Sequence, residues 1–174
     1  MADLLVRLYD LPPAAPAIAE LADRGVVVRR AAAAERSAVV AFARAHGSEG
    51  WANECEVSFA RQPVGCFVAA ERAPAAPAGG RSYARPAETL IGFACVEATA
   101  RDFFGPELVH PERRGRGVGR ALLLAALEDL RQAGYAYAII GWASSPDFYR
   151  RAVGATVIEG SEPGIYPPPL KPAG

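Results

Sequence analysis

The sequence predicts an α/β fold, a mixed sheet covered by helices on both faces. Three observations lead there. Short β-branched or aromatic runs recur along the chain, as at Val26–Val28, Thr89–Glu97 and Phe103–Val109. Segments of helical periodicity separate several of these runs, and strands outnumber helices. A chain of 174 residues with 51% hydrophobic content also suits one domain, 1–174, with a real core.

The elements follow in order. Leu4–Leu8 reads as an edge strand ahead of the proline-rich link LPPAAP, and Val26–Val28 as a firmer strand bounded by Gly25. Ala31–Ala45 reads as a helix with Val39, Phe42 and Ala43 on one face and Gly47 just past its end. Trp51–Phe59 is a second helix: Trp51, Cys55 and Phe59 recur every four residues, Glu54 lies off that side, and Pro63 stops it. Val64–Ala70 and Thr89–Glu97 are strands. The segment 72–88 between them is rich in Pro, Ala and Gly and reads as a mobile hairpin loop.

Phe103–Val109 is the next strand. Pro106 cannot donate to a ladder and Gly105 relaxes the backbone, so the pair predicts a bulge or a local loss of pairing. A leucine-rich helix from about Gly117 to Ala133 ends on Gly134 as a left-handed cap. Tyr135–Gly141 reads as a buried strand and Asp147–Ala152 as a short helix. Thr156–Ile158 and Gly164–Tyr166 read as the last strands, before a proline-rich tail, 167–174.

Composition excludes several function classes. Formal net charge is zero, which gives no general pull toward nucleic acid or anionic membrane. Eighteen of the basic residues are Arg and one is Lys171, so an arginine here is weaker evidence of function than usual. Cys55, Cys66 and Cys95 show no CxxC spacing, and His46 and His110 lie far apart in sequence. Buried free thiols are therefore expected, and no metal site. Asp3 and Arg7 interrupt the first apolar stretch, and no apolar run approaches the roughly 20 residues of a membrane span. A cytoplasmic protein is the expectation.

The stretch Phe103–Leu124, FFGPELVHPERRGRGVGRALLL, carries the chemistry. It joins an apolar strand, a turn holding Gly115, Gly117 and Gly119, and the opening of an apolar helix. Glycine lets main-chain N–H groups approach a ligand, and at a helix start those groups lack intrahelical acceptors. The helix dipole favours an anion there, and Arg113, Arg114, Arg116 and Arg120 add positive charge. This is a seat for a phosphate or pyrophosphate. The bare pattern Arg114-x-x-Gly117-x-Gly119 would arise by chance about once in two chains of this composition, so its strand–turn–helix context carries the weight. A dinucleotide fingerprint would need Gly where Arg120 stands, and a P-loop would need GK[ST].

VHPERRGRGVGRALL resembles the acyl-coenzyme A motif of the GNAT superfamily of N-acetyltransferases, and DFYRRAVGA resembles that family's "FY…G" helix. The family spaces these residues FYxxxG; here Gly154 stands one residue further on. The resemblance implies a mixed, mostly antiparallel central sheet of about six to seven strands flanked by about four helices. It also implies acetyl-coenzyme A as co-substrate, no metal, and direct attack by an amine in a ternary complex. A small-molecule or peptide amine is the implied acceptor, and a homodimer through paired edges is compatible with the family.

Residue by residue, the resemblance puts pyrophosphate on the main chain of Gly115, Arg116, Gly117, Val118, Gly119 and Arg120, with Arg114 and Arg120 adding charge. The N–H near Val109 would stabilise the oxyanion. Tyr149 would protonate the leaving thiolate. Glu107, on Val109's side of an ideal strand, is the candidate base, with Glu54 or a water chain as alternatives. Ser144 and Ser145 would contact pantetheine or cap the helix from Asp147. Trp51 is expected in the core or on the acceptor pocket, and His110 at the strand end. The rival reading is a module of the same shape that binds acyl-coenzyme A without turning it over. Nothing in Glu49–Phe59 or 72–88 identifies the amine.

Overall fold

A computed structural model describes residues 1–73, 87–168 and 170 of the chain. The expected loop at 72–88 and tail at 167–174 lie largely outside the described residues. Among the described residues, seven strands form one sheet: β1 (Leu4–Arg7), β2 (Val26–Arg30), β3 (Cys66–Arg72), β4 (Glu88–Val96), β5 (Phe103–Val109), β6 (Tyr137–Ile140) and β7 (Thr156–Val157). The helices are α1 (Ala14–Ala22), α2 (Arg36–His46), α3 (Glu49–Phe59), α4 (Val118–Gln132) and α5 (Pro146–Val153). The strand order is β2-β3-β4-β5-β6-β1-β7, and every neighbouring pair runs antiparallel except β5 and β6. None of the described helices is long and apolar enough to cross a membrane.

Strand alternation builds two cores, one on each face of the sheet. Phe67 and Ala69 of β3 pack with the face that α4 covers, whereas Cys66 and Val68 join Val39, Val40, Cys55 and Phe59 of α2 and α3 on the other. α4 is the main element of the first core. Leu122, Leu123, Leu124, Leu127 and Leu130 are all at most 1% exposed, and each such burial contributes about 1.5–3 kcal/mol relative to exposure. Gly134, with φ +99°, closes the helix as anticipated.

The predicted disruption at Gly105-Pro106 is present. Ala94 pairs with Glu107 but Val96 pairs with Phe104, so β5 carries one extra residue at this point. On its other side, β5 meets β6 only at Phe103 and Phe104. Beyond Phe104 the two strands separate.

Several expectations need correction. β1 is not an edge strand: it lies between β6 and β7, pairing with both. Its burial explains the apolar Leu4 and Val6, whereas two-residue β7 takes the edge. A fifth helix, α1, follows the proline-rich link. Pro16 sits in its first turn, where a missing N–H costs nothing, and Leu21 anchors the helix to the core. β6 is shorter than Tyr135–Gly141, and only one side of it is buried, with Tyr137 45% exposed. Gly164–Tyr166 forms no strand; it is turn and coil held by side-chain contacts.

Gly92 of β4 faces α4 at close range. A Cβ there would stand 2.9 Å from the Leu108 carbonyl oxygen and 3.1 Å from Leu122 Cδ1. Gly92→Ala is expected to lower stability by about 1–3 kcal/mol through overpacking, read as a lower Tm by calorimetry. An unchanged Tm would mean that the sheet yields freely beneath α4.

Candidate active site

The separation of β5 from β6 opens the middle of the sheet. His110 donates its N–H to the Ile91 carbonyl on β4, at 2.9 Å. Successive strand residues direct their main-chain groups to opposite sides, so Val109 directs its own toward the gap. Its carbonyl there accepts from Arg114 Nε at 3.1 Å.

After β5 the chain makes a single turn, Pro111–Arg113, in which His110 Nδ1 accepts from the Glu112 N–H. It then enters α4 through Gly115 (φ +73°) and Gly117 (φ +84°), both in the left-handed region that glycine tolerates. No main-chain N–H from Gly115 to Arg120 finds an acceptor among the described residues, and at a helix start such groups point toward an anion. A groove of about 520 Å³ lies over this turn, lined by Val109, Arg114, Gly115, Gly117, Gly119 and Arg120 and continuing to Ser144, Phe148 and Tyr149.

The four arginines are not equivalent. Arg113 is paired bidentately with Glu71 at 2.7 and 3.1 Å, and Arg116 turns away into a hollow beside Arg24, whose guanidinium holds the Arg116 carbonyl. Arg113, Arg114 and Arg120 line the groove, Arg113 with its guanidinium already paired to Glu71. The Val118 side chain is in the core, so only its main chain faces the turn. Ser145 starts α5 without a side-chain cap, and Ser144 lines the groove.

A second cavity of about 180 Å³ lies on the far side of the gap, walled by Trp51, Phe104, Trp142 and Tyr166 and reached by Glu54 and Thr99. The two cavities share Trp51, Glu107, Ser144 and Tyr149. Trp51, half-buried against the second core, thus also belongs to the cavity walls.

Glu107 and Tyr149 stand at this junction. Glu107 does share a side with Val109: both flank Gly119, whose missing Cβ would lie 3.4 Å from Glu107 Oε1 and 3.6 Å from Val109 Cγ2. The stem of Glu107 is part-exposed, but its carboxyl is buried and Oε1 has no hydrogen-bond partner. Burial pushes that carboxyl up to about 8, moderated by the nearby Tyr149 hydroxyl. Tyr149 packs edge-on to Phe104 with centroids 6.3 Å apart. Burial and the facing Glu107 carboxyl raise its hydroxyl well above the usual tyrosine range, so it stays protonated. No hydrogen bond of ordinary geometry joins the two groups, although they lie close enough to couple. Gly154 adopts φ +65° and caps α5 on Arg150, so the extra residue before it falls at the helix end rather than beside Tyr149.

Three residues of the second cavity escaped the sequence reading. Thr99 donates to Glu54 Oε1 at 2.5 Å. Trp142 stacks on Tyr166 with centroids 4.5 Å apart, and its indole N–H donates to the Pro163 carbonyl at 2.7 Å. Gly141 makes room for this, because a side chain there would collide with the Tyr166 hydroxyl. His46 and His110, distant in sequence, meet edge to face with ring centroids 4.8 Å apart beside Phe42. The three cysteines are buried and free, with Cys55 and Cys95 sulfurs 3.9 Å apart, and none lines the groove or the cavity.

Comparison with known proteins agrees with this architecture. The family model of the acetyltransferase (GNAT) domain matches residues 62–152, which span β3 to α5 and include the turn and Tyr149. The chain belongs to the GNAT acetyltransferase family. Among solved structures it is similar to a GCN5-related glucosamine N-acetyltransferase region of a fungal multi-domain β-N-acetylglucosaminidase, at 17% identity and TM-score 0.67, covering 90% of this chain and 19% of that one. It is also similar to a GCN5-related N-acetyltransferase from Sphaerobacter thermophilus, at 20% identity and TM-score 0.60, over 90% of this chain and 48% of that one. The chain thus spans half or less of the length of these relatives, and the likeness is one of fold. A search of curated proteins found no match.

The buried Glu107 has a stability consequence with a definite sign. Its carboxyl titrates near 4.5 when solvated and near 8 in the fold, so the folded chain retains a proton that the unfolded chain loses between those values. Stability therefore falls as pH rises from about 4.5 to about 8, by a few kcal/mol at roughly 1.4 kcal/mol per pH unit. Glu107→Gln is expected to raise Tm by several degrees at pH 9 and by little at pH 4. A Tm difference that stays constant with pH would contradict this assignment.

Proposed function

We propose that the protein transfers an acetyl group from acetyl-coenzyme A to a primary amine, by direct attack of the amine in a ternary complex. The observation that carries this reading is the placement of Glu107 and Tyr149 where the groove over the glycine turn meets the acceptor-side cavity. Acetyl-coenzyme A would supply the acyl thioester. The unpaired N–H groups of 115–120 and the Arg114 and Arg120 guanidiniums fit its pyrophosphate, and the main chain of Val109 faces the gap through which the pantetheine arm would pass.

Each protein group then has a task. The Val109 N–H donates to the thioester oxygen as negative charge develops there. Glu107, in its carboxylate form, takes the proton that the amine loses on attack. Tyr149 gives its hydroxyl proton to the departing sulfur and recovers one from Glu107, so the pair moves a single proton from nitrogen to sulfur and ends as it began. The absence of cysteine from the described lining of both cavities fits direct transfer rather than an acyl-enzyme. A module that only bound the thioester would gain nothing from a desolvated acid–base pair at this point, whose burial lowers stability.

Two measurements test the reading. Tyr149→Phe is expected to lower kcat by about 10²-fold or more while calorimetry gives an unchanged Kd for coenzyme A. Because Glu107 must be ionised at the outset, kcat/KM is expected to show a rising limb that bends near pH 8, superposed on the titration of the amine. Glu107→Gln should remove that limb and leave only the titration of the amine. Full activity of Tyr149→Phe, or a Glu107→Gln profile identical to the parent, would defeat the mechanism.

A further inference from the structure

The cavity on the acceptor side has a one-sided chemistry. Its titratable side chains among the described residues include the carboxyl-bearing Glu54 and Glu107, and no described Arg or Lys lines it. A cation among the described residues at its edge, the Met1 amine, is paired with Glu162. Asp3, just behind, is held by the Trp142 N–H at 2.9 Å, so it adds negative potential without entering the cavity. A substrate carboxylate brought here would meet like charges with no counter-ion, in surroundings that screen poorly.

The walls favour a cation. Trp51, Trp142 and Tyr166 present aromatic surface, and the ring quadrupole attracts an ammonium. Glu54 is more than half buried; Thr99 satisfies Oε1, and Oε2 has no hydrogen bond within the described residues. At the other end, Glu107 Oε1 is wholly buried and unpartnered. A cavity near 180 Å³ is only slightly larger than the roughly 150 Å³ that accommodates benzene, so the occupant is small.

Resting on the acyl-transfer reading above, we propose that this cavity selects small amines that carry no carboxylate, with Glu54 as the residue that sets the preference. Glu54 draws the ammonium in and the aromatic walls cover its short apolar tail, while an amino acid bearing the same side chain is repelled; the bound ammonium releases one proton to water before it attacks, so that the neutral amine enters the transfer from nitrogen to sulfur. Glu54 acts on binding and lies outside the proton path between Glu107 and Tyr149. Desolvation already raises its carboxyl above the usual range, a cost that an incoming ammonium offsets.

The test compares 3-methylbutylamine with leucine, which has the same side chain but adds a carboxylate. Turnover is followed by coenzyme A release, and binding by the fluorescence of Trp51 and Trp142 in the presence of coenzyme A. The amine is expected to exceed leucine at least tenfold in kcat/KM and in affinity. Glu54→Gln keeps an acceptor for Thr99, and it is expected to reduce that ratio at least tenfold, through KM rather than kcat, with the Kd for coenzyme A unchanged. Equal use of leucine, an unaltered ratio in Glu54→Gln, or no fluorescence response to the amine would overturn the inference while leaving acetyl transfer intact. Failure of coenzyme A itself to bind in calorimetry would defeat the acyl-transfer reading, and this inference with it.

Discussion

The structure turns on the loss of pairing between β5 and β6 beyond Phe104. A sheet interior normally satisfies every main-chain N–H and C=O, and leaving a row of them unpaired is costly. Here the one surplus residue at Gly105-Pro106 redirects β5 while it remains bonded to β4, so the strand keeps one ladder and gives up the other. The exposed edge is then partly reclaimed from within the chain: Arg114 donates to the Val109 carbonyl. The N–H of the same residue is left facing the gap. A gap in mid-sheet also brings both faces of the molecule within reach of one point, which is why two cavities share a junction there.

Glu107 carries a stability cost that its proposed role would put to use. Its carboxyl sits against the first turn of α4, where a Cβ on Gly119 would come into van der Waals contact with Oε1 at 3.4 Å. The helix end offers a favourable potential to the charged form, but burial outweighs it, as the upward displacement of the carboxyl records. A group whose protonation changes near neutral pH is more useful for moving protons than one fixed in either state.

Much of this was legible in the sequence, and the exceptions have physical causes. The strand–turn–helix from Phe103 to Gln132 was readable because glycine, proline and leucine each impose local constraints that tertiary contacts do not reverse. The bulge at Gly105-Pro106 was readable for the same reason. α1 was not: five of the nine residues of Ala14–Ala22 are alanine, and the prolines before and within it suggest a link. The position of β1 inside the sheet depends on pairing across more than 130 residues, which no local pattern encodes. Trp142 and Tyr166 lie on irregular segments whose meeting is set by Gly141 and by a bond from Trp142 to Pro163, so their spacing carries no period. The arginines could not be ranked from the sequence, because charge in a turn does not say which guanidinium already has a partner; Arg113 has Glu71, and Arg116 lines a different hollow.

The two sides of the gap differ in electrostatic character, and this difference organises the proposed chemistry. The groove over α4 offers unpaired amide donors and the Arg114 and Arg120 guanidiniums; the opposite cavity offers carboxyl groups and aromatic faces. An anionic carrier and a cationic acceptor would each be drawn to one side and disfavoured on the other, so the order in which they arrive would not determine where they bind. Their opposed preferences would bring the two reacting groups together at Glu107 and Tyr149 without any movement of the sheet. The residues that would discriminate between acceptors, Glu54 and Tyr166, lie on α3 and on the segment after β7, outside the strand–turn–helix that would hold the carrier. Substitution there can alter the acceptor while the thioester platform remains intact, because the two sets of contacts meet only at the junction.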